Sequence, residues 1–147
     1  SRKIAAAYQG DLAAPEANKN SVVRESPYSV NETANRIENL VKQQGGKVFV
    51  KIDQTKMAKD INIELRPTTV LIFGNPKVGT VFMQNDESIA SALPLKATIW
   101  KDPAGQVWVS YPDLMKVAKE HNYTGDMVLV KKMNVGLTKA MLKATSG

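Results

Sequence analysis

Residues 65–83 read LRPTTVLIFGNPKVGTVFM, and how this stretch is read decides the fold. Val70-Leu71-Ile72-Phe73 is an unbroken apolar run bounded by turn formers, the pattern of a strand covered on both faces. It leads into Gly74-Asn75-Pro76-Lys77-Val78-Gly79-Thr80, a loop marked by two glycines and a proline, with a helical turn expected at 78–84. A strand that passes through such a loop into a helix is a physically reasonable ligand position. Loop amides and a helix N-terminus both present N–H groups to an anion.

Upstream, residues 21–28 with Val22 and Val23 read as a strand. Ser29-Val30-Asn31-Glu32 is a capping box, in which the Ser29 hydroxyl and the Glu32 carboxylate each satisfy an amide at a helix start. Ala34, Ile37, Leu40 and Val41 then share one helical face, and Gly45-Gly46 ends the helix. Residues 47–52 alternate, with Val48, Val50 and Ile52 expected on one side and Phe49 and Lys51 on the other. A short helix is expected at 55–61, bracketed by Asp53 and Asp60, before Arg66-Pro67 and the apolar strand at 68–73. Downstream come a helical turn at 87–93 and strands at 95–101 and 106–111. An amphipathic helix follows with Leu114, Val117 and Ala118 inward. The last segment, 127–143, carries Val130, Met133, Leu137 and Ala140 at helical spacing. Five strands and several helices read as a two-layer α+β sandwich. Residues 1–20, small, polar and aperiodic, read as a flexible tether ahead of one domain at 21–147.

A chain of 147 residues fits one domain with a sizeable core. Apolar residues at 43% and charged ones at 23% argue against wholesale disorder. No apolar run approaches the ~20 residues that a membrane span needs. Cysteine is absent, which removes disulfides, thiolate chemistry and cysteine-based zinc sites. The tether would suit a segment left by a removed signal peptide, so a periplasmic or secreted location is expected, with the cytoplasm as the alternative. The net charge of +6 permits contact with nucleic acid or anionic lipid. Apart from Lys131, Lys132, Lys139 and Lys143 the basic residues are scattered, and no recognition motif accompanies them, so nucleic acid is not expected as a partner.

Gly74-x-x-x-x-Gly79-Thr80 fits the phosphate-loop pattern G-x-x-x-x-G-K-[ST] without its lysine. That lysine reaches the outer phosphates of a nucleotide, and Lys77, inside the loop, cannot take its place. A nucleotide triphosphatase is therefore set aside. What survives is an anion site built from Gly74, Asn75, Lys77, Gly79 and Thr80, with Asp53 and Arg66 as further candidates. The competing reading is that the glycines only permit tight turns around Pro76. His121 is the sole histidine and cannot assemble a multi-histidine metal site, nor does a nucleophile motif such as G-x-S-x-G appear. It is expected to cap a helix end. No metal and no cofactor are expected.

Pro103-Ala104-Gly105 suits a three-residue hairpin loop, a type I turn followed by a left-handed glycine. That register sets Trp100 opposite Trp108 and Thr98 opposite Ser110 on one face, with Ile99 opposite Val109 on the other. The second set reads as core. The first would be a large apolar patch in water, so a partner subunit or the chain's own helices should cover it. The basic C-terminal helix has the outline of a membrane-surface segment, but its apolar side lacks aromatics, so docking onto its own domain is expected.

Several of these features recur in order. They are Ser29 with Glu32 and Thr33, Ile52-Asp53, Leu65-Arg66-Pro67-Thr68, Phe73-Gly74-Asn75-Pro76-Lys77 with Gly79-Thr80 and Met83, Leu93-Pro94-Leu95-Lys96, and Trp100, Gly105, Tyr111 and His121. Over about residues 21–123 this resembles the Domain of Unknown Function 302 family. The resemblance implies a small bacterial or archaeal α+β domain, often dimeric, with a mixed or antiparallel sheet; with the five strands read above, the expected fold is a five-stranded, mixed or mostly antiparallel sheet with helices packed on one face. It implies no established reaction. Gln54 stands where the family commonly has a histidine after the Ile-Asp pair. The expected function is a non-catalytic binding or interaction module acting as a homodimer. The alternative is a small-ligand, anion-binding protein or an enzyme using the 74–80 loop with Arg66, Lys77 and Asp53.

Overall fold

The apolar run at 70–73 lies inside a five-stranded sheet. A computed structural model describes residues 20–147, and the expected tether, Asn20 apart, falls outside the described residues. The strands are β1 (Ser21–Ser26), β2 (Lys47–Asp53), β3 (Thr68–Gly74), β4 (Leu95–Lys101) and β5 (Val107–Pro112). They are ordered β1-β5-β4-β3-β2, and every neighbouring pair is antiparallel. Between them run α1 (Val30–Gln43), α2 (Gln54–Asp60), α3 (Pro76–Asn85) and a 3-10 helix (Glu87–Ala92), and after β5 come α4 (Leu114–Glu120) and α5 (Met127–Ala144). Side-chain caps start each α-helix. Ser29 Oγ accepts from the Glu32 amide at 3.1 Å, and Asp53, Asn75, Asp113 and Asp126 do the same for the other four.

Alternation along the strands sorts the sheet into two faces. Leu71, Phe73, Ala97, Ile99, Val107, Val109 and Tyr111 point to the helices. They form one core with Val30, Ala34, Ile37 and Val41 of α1, Phe82 of α3, Leu114 and Ala118 of α4, and Val130, Leu137 and Met141 of α5. Each fully buried aliphatic here contributes about 1.5–3 kcal/mol. α1 lies directly on the sheet, and α5 packs against α1 and α4. The layers are therefore sheet and helices, with the helices on one side.

The other face departs from expectation. The apolar run at 70–73 predicts cover on both sides, yet among the described residues the helices build their core on one face only. Val70 is nonetheless buried and Ile72 half-buried, as is Trp100, while Trp108 is 8% exposed. The hairpin has the expected register, with Trp100 opposite Trp108 and Thr98 opposite Ser110, and Gly105 at φ +88° closes its turn. Asp102 secures it. One carboxylate oxygen accepts from the amides of Ala104 and Gln106, both at 2.9 Å. The other accepts from Trp108 Nε1 at 2.8 Å.

β2 also differs from strict alternation. Val48 pairs with Phe73 but Val50 pairs with Ile72, so the register slips at Phe49. The extra residue reverses the pleat. Val48 therefore packs on the helix-side core, Val50 is exposed on the open face, and Phe49 is pushed out at the end of β3.

The two ends of the described chain are stitched together. β1 pairs with β5. Tyr28 Oη donates to Ser146 O at 2.7 Å, and Arg36 donates to the carbonyls of Ala144 and Lys143 at 2.8 and 3.1 Å. The same guanidinium lies 4.1 Å from the Tyr28 ring centroid.

An apolar cavity at the strand–helix turn

Where β3 gives way to α3, the chain borders a cavity of about 430 Å³. β3 supplies Gly74, and Asn75 caps α3 by accepting from the Lys77 amide at 3.1 Å. α3 contributes Pro76, Val78, Gly79, Thr80, Phe82 and Met83. The bulge residue Phe49 closes one side, and Leu93, Pro94 and Leu95 another. Leu114 of α4 and Met133 of α5 complete the wall. The lining is overwhelmingly apolar. Its polar side chains are Asn75, already engaged as the cap, and Thr80, whose hydroxyl donates to Pro76 O at 2.6 Å.

The two loop glycines explain part of this shape. Neither has a positive φ, in contrast to Gly45 and Gly105, so no left-handed backbone requires them. A Cβ at Gly79 would first meet Leu93 Cδ1 at 4.0 Å, and one at Gly74 would meet Phe49 Cε2 at 3.6 Å and Pro94 Cβ at 3.8 Å. There is room for a methyl at both. Gly79 sits within α3, where glycine costs about 0.8–1.0 kcal/mol relative to alanine. What the missing side chain provides is an open cavity wall. Neither a positive φ nor a close approach of neighbouring atoms therefore calls for glycine at these two positions.

Behind the cavity, and sharing Phe82, Leu93, Leu95 and Leu114 with it, lies a void of about 20 Å³ lined also by Tyr123. The Tyr123 ring meets Phe82 edge-on, with centroids 5.9 Å apart at 88°. Its hydroxyl is buried without a hydrogen-bond partner among the described residues. Burial first, then the nearby charges of Asp126 and Asp86, push its pKa above the ordinary value.

The sequence candidates fall in two places. Gly74, Asn75, Gly79 and Thr80 line the cavity, and Lys77 is exposed between the lining residues Pro76 and Val78. Asp53 and Arg66 lie at the opposite end of β3, about 20 Å away along the strand. There Asp53 caps α2 by accepting from the Lys56 amide at 3.0 Å, and the Arg66 carbonyl accepts from Thr55 and Thr68 hydroxyls at 3.2 and 2.9 Å. His121 follows α4, its Nδ1 3.3 Å from Ser91 Oγ. Sequence reasoning missed Phe49, Leu93, Pro94, Leu114 and Met133. A glycine inside a helical pattern, flanked by apolar residues, was the available signal for the cavity.

An antiparallel sheet backed by helices, with an apolar hollow at the β3–α3 turn, defines a small α+β domain whose concave site is greasy rather than charged. The chain belongs to the family described as Domain of unknown function DUF302, whose model matches residues 22–143. It is 37% identical over 127 residues to a protein of Brucella suis biovar 1 (strain 1330) named fluoride-specific ion channel FluC 1, covering 86% of this chain and 50% of that one. A Brucella abortus biovar 1 (strain 9-941) protein of the same name is also 37% identical, with 47% of its length covered. The chain thus spans about half the length of these relatives. The crystal structure of an uncharacterized conserved DUF302 protein from Bacillus stearothermophilus superposes with a TM-score of 0.73 at 19% identity, covering 86% of this chain and 98% of that one. At that identity the likeness concerns the fold.

Proposed function

We propose that this protein is a non-catalytic binding module that holds a small, largely apolar molecule in the cavity at the β3–α3 turn. The observation that carries this reading is the pair Gly74 and Gly79, which leave the cavity wall open without any backbone need for glycine. A volume of about 430 Å³ lies within the usual range for small-molecule sites, which are mostly apolar with a few placed polar groups. Lys77, beside the lining, suits a ligand with an acidic head. That keeps the anion in the proposal but makes it the smaller part of the ligand.

Octanoate and octanol serve as probes. Preferential binding to the folded state should raise the melting temperature of the wild type, and Gly79→Leu, which fills the cavity, should abolish the rise. A larger shift with octanoate, lost in Lys77→Ala, supports the acidic head. No shift with either probe overturns the reading, and a Lys77-dependent shift with inorganic phosphate alone would favour a plain anion site.

We further propose that the module is a homodimer joined through the open sheet face around Trp100, with Trp108, Thr98 and Ser110. The half-buried ring of Trp100, with Thr98 and Ser110 beside it on the face away from the described core helices, supports this. For the Brucella relatives, we propose that the matched half is an appended domain and that the channel lies in the remainder. No described helix of this chain is long and apolar enough to cross a membrane.

A further inference from the structure

Helix α5 has two apolar faces. The inner one, with Val130, Leu137, Ala140, Met141 and Ala144, is buried in the domain as its spacing requires. The outer one carries Val128, Val135 and Leu142, which are 77%, 46% and 45% exposed. These three stand seven residues apart, and such positions drift only about 20° per heptad. They therefore form a ridge along the outermost line of the helix, about 20 Å long. Lys131 lies to one side of it, and Lys132, Lys139 and Lys143 to the other, all exposed. α5 contains no Asp or Glu. Its N-cap, Asp126, has one carboxylate oxygen accepting from the Val128 and Leu129 amides. Among the described residues none of the four ammonium groups has a carboxylate within 4.0 Å.

We propose that the outer face of α5 docks on an anionic lipid bilayer surface, with the Val128–Val135–Leu142 ridge entering the headgroup boundary and the flanking lysines meeting lipid phosphates and carboxylates. Shape and charge favour this occupant. The ridge is convex and straight, which fits a plane. A second copy seated on it would set lysines against lysines with no carboxylate on either helix, a repulsive arrangement. A helix with an apolar stripe and lysines on its borders has the chemistry of an interfacial segment. Its expected docking onto its own domain holds for the inner face, so one helix does both. This inference rests on α5 alone and is independent of the cavity.

The test is co-sedimentation of the full 147-residue chain with vesicles of phosphatidylcholine, or of phosphatidylcholine mixed with phosphatidylserine. The wild type should pellet with the mixed vesicles, should be released by added salt, and should stay in solution with phosphatidylcholine alone. Each lysine near such a surface is worth about a five-fold change in binding. Lys132→Glu/Lys139→Glu should therefore lose at least ~25-fold, and Val128→Ser/Val135→Ser should also release the protein. Both pairs are exposed, so far-ultraviolet circular dichroism should be unchanged. Failure of the wild type to pellet at low salt overturns the proposal. So does equal pelleting by the charge-reversed variant, or a change in oligomeric state on Val128→Ser/Val135→Ser without any vesicle binding.

Discussion

Gly79→Ala should make the protein more stable and a poorer binder at once. Gly79 is the fourth residue of α3, and its amide already donates to Asn75 O at 2.8 Å, so alanine keeps the helical bond. The added methyl first meets Leu93 Cδ1 at 4.0 Å, which is ordinary contact without a clash. Helix propensity favours the change by about 0.8–1.0 kcal/mol, and contact with Leu93 adds a few tenths at most. The expected gain is about 1 kcal/mol, or roughly 2–4 °C in melting temperature for a chain of this size. Urea unfolding should show a higher midpoint at unchanged slope. The same methyl narrows the cavity, so the thermal shift given by octanoate should shrink. A destabilised Gly79→Ala would mean that the backbone requires glycine, and the volume argument would fail. A stabilised variant with undiminished octanoate binding would remove Gly79 from the site.

Two further outcomes follow from the hairpin. Trp100→Ala should shift the protein from dimer to monomer in sedimentation velocity, with about 2 kcal/mol or more lost from association if the ring is a hot spot. A wild type that is monomeric at micromolar concentration ends the interface proposal. Asp102→Ala should cost about 1–2 kcal/mol at neutral pH, chiefly by orphaning the largely buried Trp108 indole N–H. In the wild type the Trp108 hydrogen bond, opposed by desolvation and aided by the amides of Gln106, Ala104 and Gly105, holds the Asp102 carboxyl below its ordinary pKa. That contribution is present above the ordinary carboxylate range and is lost as pH falls through the lowered value. Acid unfolding of the variant should therefore be flatter there, and superimposable acid limbs would refute the assignment.

What could be read from the sequence was set by local rules. Pro103-Ala104-Gly105 fixes a loop length and a left-handed position, and these fix which residues face one another, so the Trp100–Trp108 pairing was legible. Caps at Ser29 and Asp53 likewise mark helix starts from neighbouring residues alone, whereas α3 begins at Pro76, two residues before the expected turn, with Asn75 as its cap. The bulge at Phe49 was not legible, because nothing in KVFVKID announces a slip that depends on pairing with β3. The cavity walls come from β2, β3, α3, the segment before β4, α4 and α5, and no pattern along one segment contains them. Asp53 and Arg66 were candidates alongside the loop, but a strand's length separates them from it in space, which no local pattern reveals. The outer ridge of α5 was present as a seven-residue spacing, but the stronger inward set of Val130, Leu137 and Ala140 concealed it.

The stitching of β1 to β5 has a consequence for how the chain is made. β2, β3 and β4 join sequential neighbours and can assemble as they leave the ribosome. β1 cannot, for Arg24 and its partner Tyr111 are 87 residues apart. At translation speeds of ~5–20 residues per second, SVVRES waits roughly 4–17 s as an unpaired strand. The latch between Tyr28 and Ser146, 118 residues apart, closes later still. Folding of this domain is thus gated by β5 and α5, which are made after the rest of it, and a nascent chain stalled after β4 holds a three-stranded meander with α1 lacking its α5 partner. Such a species exposes the apolar side of α1 and an unpaired edge of β4, the features that chaperones hold and that unprotected chains use to aggregate.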